Sequence, residues 1–217
     1  MMLEPLLPTI LSVRRIPAAA RDVLCMYDAD PERHVSLGLV TCDQDDPTYV
    51  ALDEATKHAA VDVVYARSFY AGAAHASGPL SGEILGVLAG PDPEEVDRGL
   101  AALIRCLEHD ACFYDADGKG QLAVFPHVIS SLGHYLSREA GLEPGDAMAY
   151  LVAPPIEAGL GIDAAMKAAD VRAAKLFPPP TETNFAAAWL SGLQHECEAA
   201  AAAFAETVVE VGLHPRR

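Results

Sequence analysis

Two stretches of the chain repeat each other, and this restricts the possible fold more than any other feature. Leu52-Asp-Glu-Ala-Thr-Lys-His-Ala-Ala-Val61 aligns with Ile162-Asp-Ala-Ala-Met-Lys-Ala-Ala-Asp-Val171 at a constant offset of 110 residues. Each copy carries Asp, Ala and Lys in one helical register, and each runs into a strand-like segment. Further on, Gly90 and Gly192 each end a strand just before an amphipathic helix, now at an offset of 102. The connection in the first copy is therefore eight residues longer, and the glycine- and alanine-rich stretch Ser68 to Ser81 occupies it. The economical description is two copies of strand-helix-strand-strand-helix. A fortuitous match between alanine-rich helices is the competing reading, and the shared order of elements favours duplication. The expected division is residues 1–110 and 111–217.

Local patterns fill in the elements. Strands are expected at Thr9–Ile16, Ser36–Val40, Val61–Arg67, Gly82–Gly90, Ala111–Tyr114, Met148–Val152, Val171–Phe177 and Asn184–Leu190. Helices are expected at Ala18–Tyr27, Leu52–Ala60, Pro126–Ala140, Asp163–Ala169 and Gln194–Val211. One more helix opens at Asp92-Pro-Glu-Glu95, where Asp92 caps, Pro93 fits the first turn and Glu95 sits in the reciprocal-cap position. The fold class is α+β.

Charge and cysteine usage then exclude whole classes of function. Thirty-one acids against fifteen Lys and Arg give a net charge of −16, which disfavours nucleic acid and favours contact with cations. The five cysteines show no CxxC spacing, as expected of a reduced cytoplasmic chain with thiols buried as small hydrophobes. Met1 to Val13 lacks a basic leader before an apolar run, so no secretion signal is expected. No apolar stretch reaches membrane-spanning length. GxSxG, GxGxxG and a Walker loop are absent, and no pattern supplies a nucleophile with its base. Neither an enzyme nor a cofactor-dependent protein is expected.

Specific stretches then point to a family. Leu37-Gly-Leu-Val, Asp45-Asp-x-Thr-Tyr49, Asp53-Glu-Ala-Thr-Lys57 and Tyr70-Ala-Gly-Ala-Ala-His75 resemble the L-type shell proteins of ethanolamine-utilisation bacterial microcompartments. So do Asp146-x-Met-Ala-Tyr-Leu-Val-Ala-Pro-Pro155, Gly161-Ile-Asp-Ala-Ala165 and Pro178-Pro-Pro-x-Glu-Thr-Asn184. The similarity runs collinearly from about Leu37 to Glu206 and is weakest before Leu37, at Asp117 to Gln121 and in the C-terminal tail. The resemblance implies two tandem, circularly permuted shell domains, each a ferredoxin-like α/β sandwich. It also implies a homotrimer shaped like a hexamer, contact with other shell proteins, a gated central pore and small pores within each subunit. Such a shell passes substrates, retains a volatile aldehyde and performs no chemistry. The expected location is the microcompartment shell in the cytoplasm.

The same resemblance sorts the candidate residues. It places Asp45, Glu83 and Asn184 near one subunit pore, with Asp46 alongside in the acidic run and Phe113 as an apolar wall. Carboxylates there would hold the ammonium of a small amino alcohol such as ethanolamine, and the amide would meet its hydroxyl. The plain alternative for Asp43, Asp45 and Asp46 is a solvated turn that caps a helix. A calcium loop is rejected because Pro47 and Thr48 stand where it needs its turning glycine. Phe69, Tyr70, Gly72 and His75 are assigned to the central pore gate, the alternative being a surface excursion with no such role. No metal site is assigned: the histidines lack ligand spacing, and His75 is an exposed loop residue or, three copies together, an adventitious zinc site. The reading from a different class is a cytosolic amine-sensing module of two ferredoxin-like halves.

Overall fold

In the computed structural model, residues 3–69, 78–181 and 183–216 are described. In chain order the elements begin β1 (Glu4–Leu6), β2 (Ile10–Ile16), α1 (Arg21–Met26), β3 (Ser36–Cys42) and α2 (Asp45–His58). Next come β4 (Asp62–Ser68), β5 (Ile84–Gly90), α3 (Pro93–His109), β6 (Phe113–Asp115), β7 (Ala123–Ile129) and α4 (His134–Ala140). The chain closes with β8 (Ala147–Ala153), α5 (Pro155–Ala168), β9 (Arg172–Phe177), β10 (Ala186–Gly192) and α6 (Gln194–Leu213). The class is α+β, as expected, and two compact units emerge. The first holds Leu7–Ala111 with Gly133–Leu136, and the second holds Met1–Leu6, Cys112–Leu132 and Ser137–Arg217.

The duplication is visible in the topology. The first unit has a sheet ordered β2-β3-β5-β4, and the second has β1-β6-β7-β8-β10-β9, whose last four strands repeat that order. Helices α2 and α5 are both fourteen residues long and start 110 positions apart. The ladder between β4 and β5 slips between Val63 and Tyr65, and that between β9 and β10 slips where Lys175 gives way to Ala173, so the extra residues, Val64 and Ala174, correspond. Even one long-range cap is shared: the Glu95 carboxylate accepts the Ala60 N–H at 2.8 Å, and the Glu196 carboxylate accepts the Asp170 N–H at 2.9 Å. The connection from β4 to β5 is the longer one, residues 69–83 against 178–185 between β9 and β10.

In the second unit, α5 and α6 cover one sheet face, where Leu151, Ala188 and Leu190 pack with Ala158, Ala165, Ala200 and Phe204. Alanine on both sides keeps the layers thin, the close packing that α6 needs. In the first unit, α1 covers one face through Leu24 against Leu37, Val87 and Ala89. The cysteines are all free thiols; Cys42, Cys106, Cys112 and Cys197 are buried, and Cys25 is exposed. Burial pushes the Cys106 thiol up to about 12 and raises the other three buried thiols as well.

Several expectations need correction. Residues 126–129 are strand, not helix: Phe125, His127 and Ile129 alternate with Val124, Pro126 and Val128 along β7, which pairs with β8. Strand β6 pairs with β7 only at Ala123 and Val124, so Pro126 runs along an edge, where a missing N–H is tolerated. Helix α2 begins at Asp45 rather than Leu52, and α5 at Pro155 rather than Asp163. Asp45, Asp46 and Pro47 suit a first turn, whose N–H groups have no intrahelical partner and whose dipole favours acids. Asp92 does cap α3, accepting from Glu94 N–H and Glu95 N–H at 2.9 Å each. Glu95, however, forms no reciprocal cap; it reaches Ala60 and pairs with Arg98 instead. Strand β1 has no counterpart among the expected elements.

Candidate functional site

The end of the first unit's sheet gathers acids because three strands end together there. Cys42, the last residue of β3, lies opposite Ile84, and Ile84 lies opposite Ser68 at the end of β4. One residue earlier, Glu83 is held from both sides: its N–H donates to Cys42 O at 2.7 Å, and its carbonyl accepts Phe69 N–H at 2.7 Å. Asp43 follows β3 directly and accepts the Thr9 N–H at 2.6 Å. Asp45, 7% exposed, opens α2; its Oδ2 accepts from Ser68 Oγ and its Oδ1 from Asp46 N–H, both at 2.9 Å.

These carboxylates feel one another. Burial raises the Glu83 carboxyl above the usual range, and repulsion from Asp45 and then Asp43 raises it further. Among the described residues, no group of three His, Cys, Asp or Glu side chains could hold a metal ion. A diffuse organic cation needs no such tight cage, and two or three carboxylates with a hydroxyl suit one.

Glu83→Gln is expected to stabilise the free protein at pH 7, by about 0–1 kcal/mol because the site is partly open to water. The sign follows from the raised carboxyl: ionised Glu83 opposes folding, so the gain shrinks as pH falls and the wild-type residue takes its proton. Thermal melts of both proteins at pH 7 and pH 4.5 check this, and a variant less stable at pH 7 would contradict it.

The second unit holds the remaining candidates. Phe113 on β6 is 7% exposed, with its ring centroid 5.0 Å from that of Phe125 and 6.0 Å from that of Phe185. Asn184 is exposed and immediately precedes Phe185, between β9 and β10. Thus Asp45, Asp46 and Glu83 share one unit, and Phe113 and Asn184 share the other. Phe69 is exposed beside Glu83, whereas Tyr70, Gly72 and His75 lie outside the described residues. The sequence reading missed Ser68 as the hydroxyl partner of Asp45. Its signal was available, since Ser68 directly follows the strand-like run Val61–Arg67.

Comparison with known proteins agrees with this architecture. A family model described as the BMC domain matches residues 36–115. The bacterial microcompartment shell protein EutL of Clostridium perfringens is 50% identical over 208 residues, 96% of this chain and 95% of that protein. The protein of the same name from Escherichia coli is 49% identical over 214 residues, 98% of this chain and 97% of that one. The crystal structure of the ethanolamine utilization protein EutL from Leptotrichia buccalis superposes with a TM-score of 0.95 at 47% identity and covers 100% of both chains. An identity near one half over almost the entire length shows the family, and the chain belongs to the EutL family of bacterial microcompartment shell proteins.

Proposed function

We propose that three copies of this chain form a six-lobed ring that tiles into the shell, with small acidic pores that take ethanolamine and a larger central pore. As a member of its family the chain is a structural component of the shell, in the bacterial cytoplasm, rather than an enzyme. The two units serve as two shell domains dividing near residue 110. The trimer is supported by the internal repeat, since three chains supply six lobes.

The observation that carries the ethanolamine reading is the acid group at the end of the first unit's sheet, where burial raises the Glu83 carboxyl, Asp45 and Asp43 raise it further, and a bound ammonium would relieve that repulsion. Asp45 and Glu83 take the ammonium with Asp46 nearby, and the family resemblance assigns Phe113 the role of an apolar wall and Asn184 that of a hydroxyl partner. The longer connection in the first copy, including Phe69, Tyr70, Gly72 and His75, gates the central pore. Its support is the extra length itself, an addition to a repeat that closes without it in the second copy.

Sedimentation of the purified chain at micromolar concentration should show a trimer, and a stable monomer or dimer would overturn the ring. Ethanolamine should bind with about millimolar affinity, because partly solvated carboxylate–ammonium contacts contribute only about 0–1 kcal/mol each. Calorimetry of Asp45→Asn should show binding weakened several-fold. Unchanged binding would place the amine elsewhere.

A further inference from the structure

The acid group at the end of the first unit's sheet is one-sided in its hydrogen bonding, because the donors around it already have protein acceptors. The Thr9 N–H and the Cys42 thiol both donate to Asp43 Oδ1, at 2.6 Å and 3.8 Å. The Glu83 N–H donates to Cys42 O and the Phe69 N–H to Glu83 O, both at 2.7 Å. The Asp46 N–H and the Ser68 hydroxyl go to the two oxygens of Asp45, both at 2.9 Å. What remains is acceptor capacity. A carboxylate offers about four lone-pair sites, so Asp43 and Asp45 keep some free. Among the described residues nothing donates to the Glu83 carboxylate. Ser68 Oγ, its hydrogen turned to Asp45, presents only lone pairs on its other side.

Negative charge alone would draw in any small cation, but free lone pairs sort cations by the donors they carry. A primary ammonium brings three N–H groups to such acceptors. A quaternary ammonium brings the same charge and none. It would take water from Asp45, which is 7% exposed, and return no hydrogen bond. Polar sites reject close analogues through that asymmetry. Quaternary groups are recognised by aromatic faces instead.

The repeat supplies an internal comparison. At the offset of 110, Asp45 and Ser68 become Pro155 and Pro178, and at the offset of 102 Glu83 becomes Phe185. The second copy ends the corresponding strands without a hydroxyl or an acid at these positions. A serine is therefore not needed to finish this strand, and the hydroxyl is present in the copy that has the acids and absent from the copy that lacks them.

We propose that Ser68 is a specificity-determining residue of this site: it fixes Asp45 and adds its own lone pairs, so that the site admits primary ammonium ions and turns away quaternary ones of equal charge. The inference rests on the amine reading above and names the class of amine admitted, at one site per chain.

Calorimetry on the full chain tests it with ethanolamine, N-methylethanolamine, N,N-dimethylethanolamine and choline. All four carry one positive charge, with three, two, one and no N–H on the nitrogen. A fifth ligand, 1-amino-2-propanol, places a methyl on carbon and keeps all three N–H groups. Affinity should fall with each N-methyl group, by at least about tenfold from ethanolamine to choline, and 1-amino-2-propanol should bind more tightly than N-methylethanolamine. Ser68→Ala should weaken ethanolamine several-fold and leave choline unchanged, and Ser68→Thr should restore the ratio. Equal affinity along the N-methyl series overturns the inference and leaves the amine site standing. So does a Ser68→Ala loss shared equally by ethanolamine and choline, which is what a merely structural role would give. A folded parent that binds none of these amines overturns both readings.

Discussion

Asp53→Ala is expected to lower the unfolding free energy by about 2–5 kcal/mol, since it leaves two buried N–H groups without their acceptor. The carboxylate is fully buried and receives both Gly133 N–H and Leu136 N–H, while Thr56 Oγ1 accepts the neighbouring His134 N–H. Urea unfolding reads the change as a lower midpoint, and a loss below about 0.5 kcal/mol would mean that water replaces the carboxylate freely. The pH dependence carries its own sign. Burial raises the Asp53 carboxyl, with the two amide donors pulling the other way. A carboxyl raised on folding contributes stability that is complete below the ordinary carboxylate range and lost as pH climbs through the raised value. Wild-type stability should therefore fall over that window, and the part of the slope due to residue 53 should vanish in Asp53→Ala.

Gly82→Val is expected to cost roughly 3 kcal/mol or more and, with it, to abolish the proposed ethanolamine binding. Gly82 has φ +60°, the left-handed region that disfavours a β-branched residue by about 1–3 kcal/mol. A Cβ would also stand 2.2 Å from Cys42 O and 2.8 Å from Leu11 Cδ1, and overpacking adds about 1–3 kcal/mol. Cys42 O is the acceptor that fixes Glu83 N–H, so relief of the clash must move the carboxylate next to the acid group. Denaturation and calorimetry on one preparation check both effects. Weakened stability with intact amine binding would separate Gly82 from the site.

The repeat was the most legible part of the fold, because helix register and element order survive when most side chains change. The shared bulge at Val64 and Ala174 and the paired caps from Glu95 and Glu196 lay beyond pattern reading, since both depend on contacts between distant residues. Residues 126–140 misled for a definite reason. Val128, Leu132, Tyr135 and Leu136 match a helical stripe, yet Val124 to Ile129 alternate, and strand β8 decides between the two periods. Helix starts were read late because Asp45-Asp-Pro47 and Pro154-Pro155 resemble turns until the helix behind them is seen. At the candidate site, the acid run was evident from composition, but the role of Ser68 depends on β4 ending beside α2.

The buried cysteines bear on the chemical hardiness of a shell wall. Addition to an aldehyde needs the thiolate, and a thiol pushed up to about 12 leaves about one molecule in a hundred thousand ionised at neutral pH. Cys42, Cys112 and Cys197 are shifted in the same direction by the same desolvation, so the packed layers withhold their nucleophiles both by access and by protonation. Of the five thiols, only that of Cys25, on α1, is exposed. Four of the five thiols in a shell built from this chain are thus withheld from electrophiles, because burial removes both access and charge.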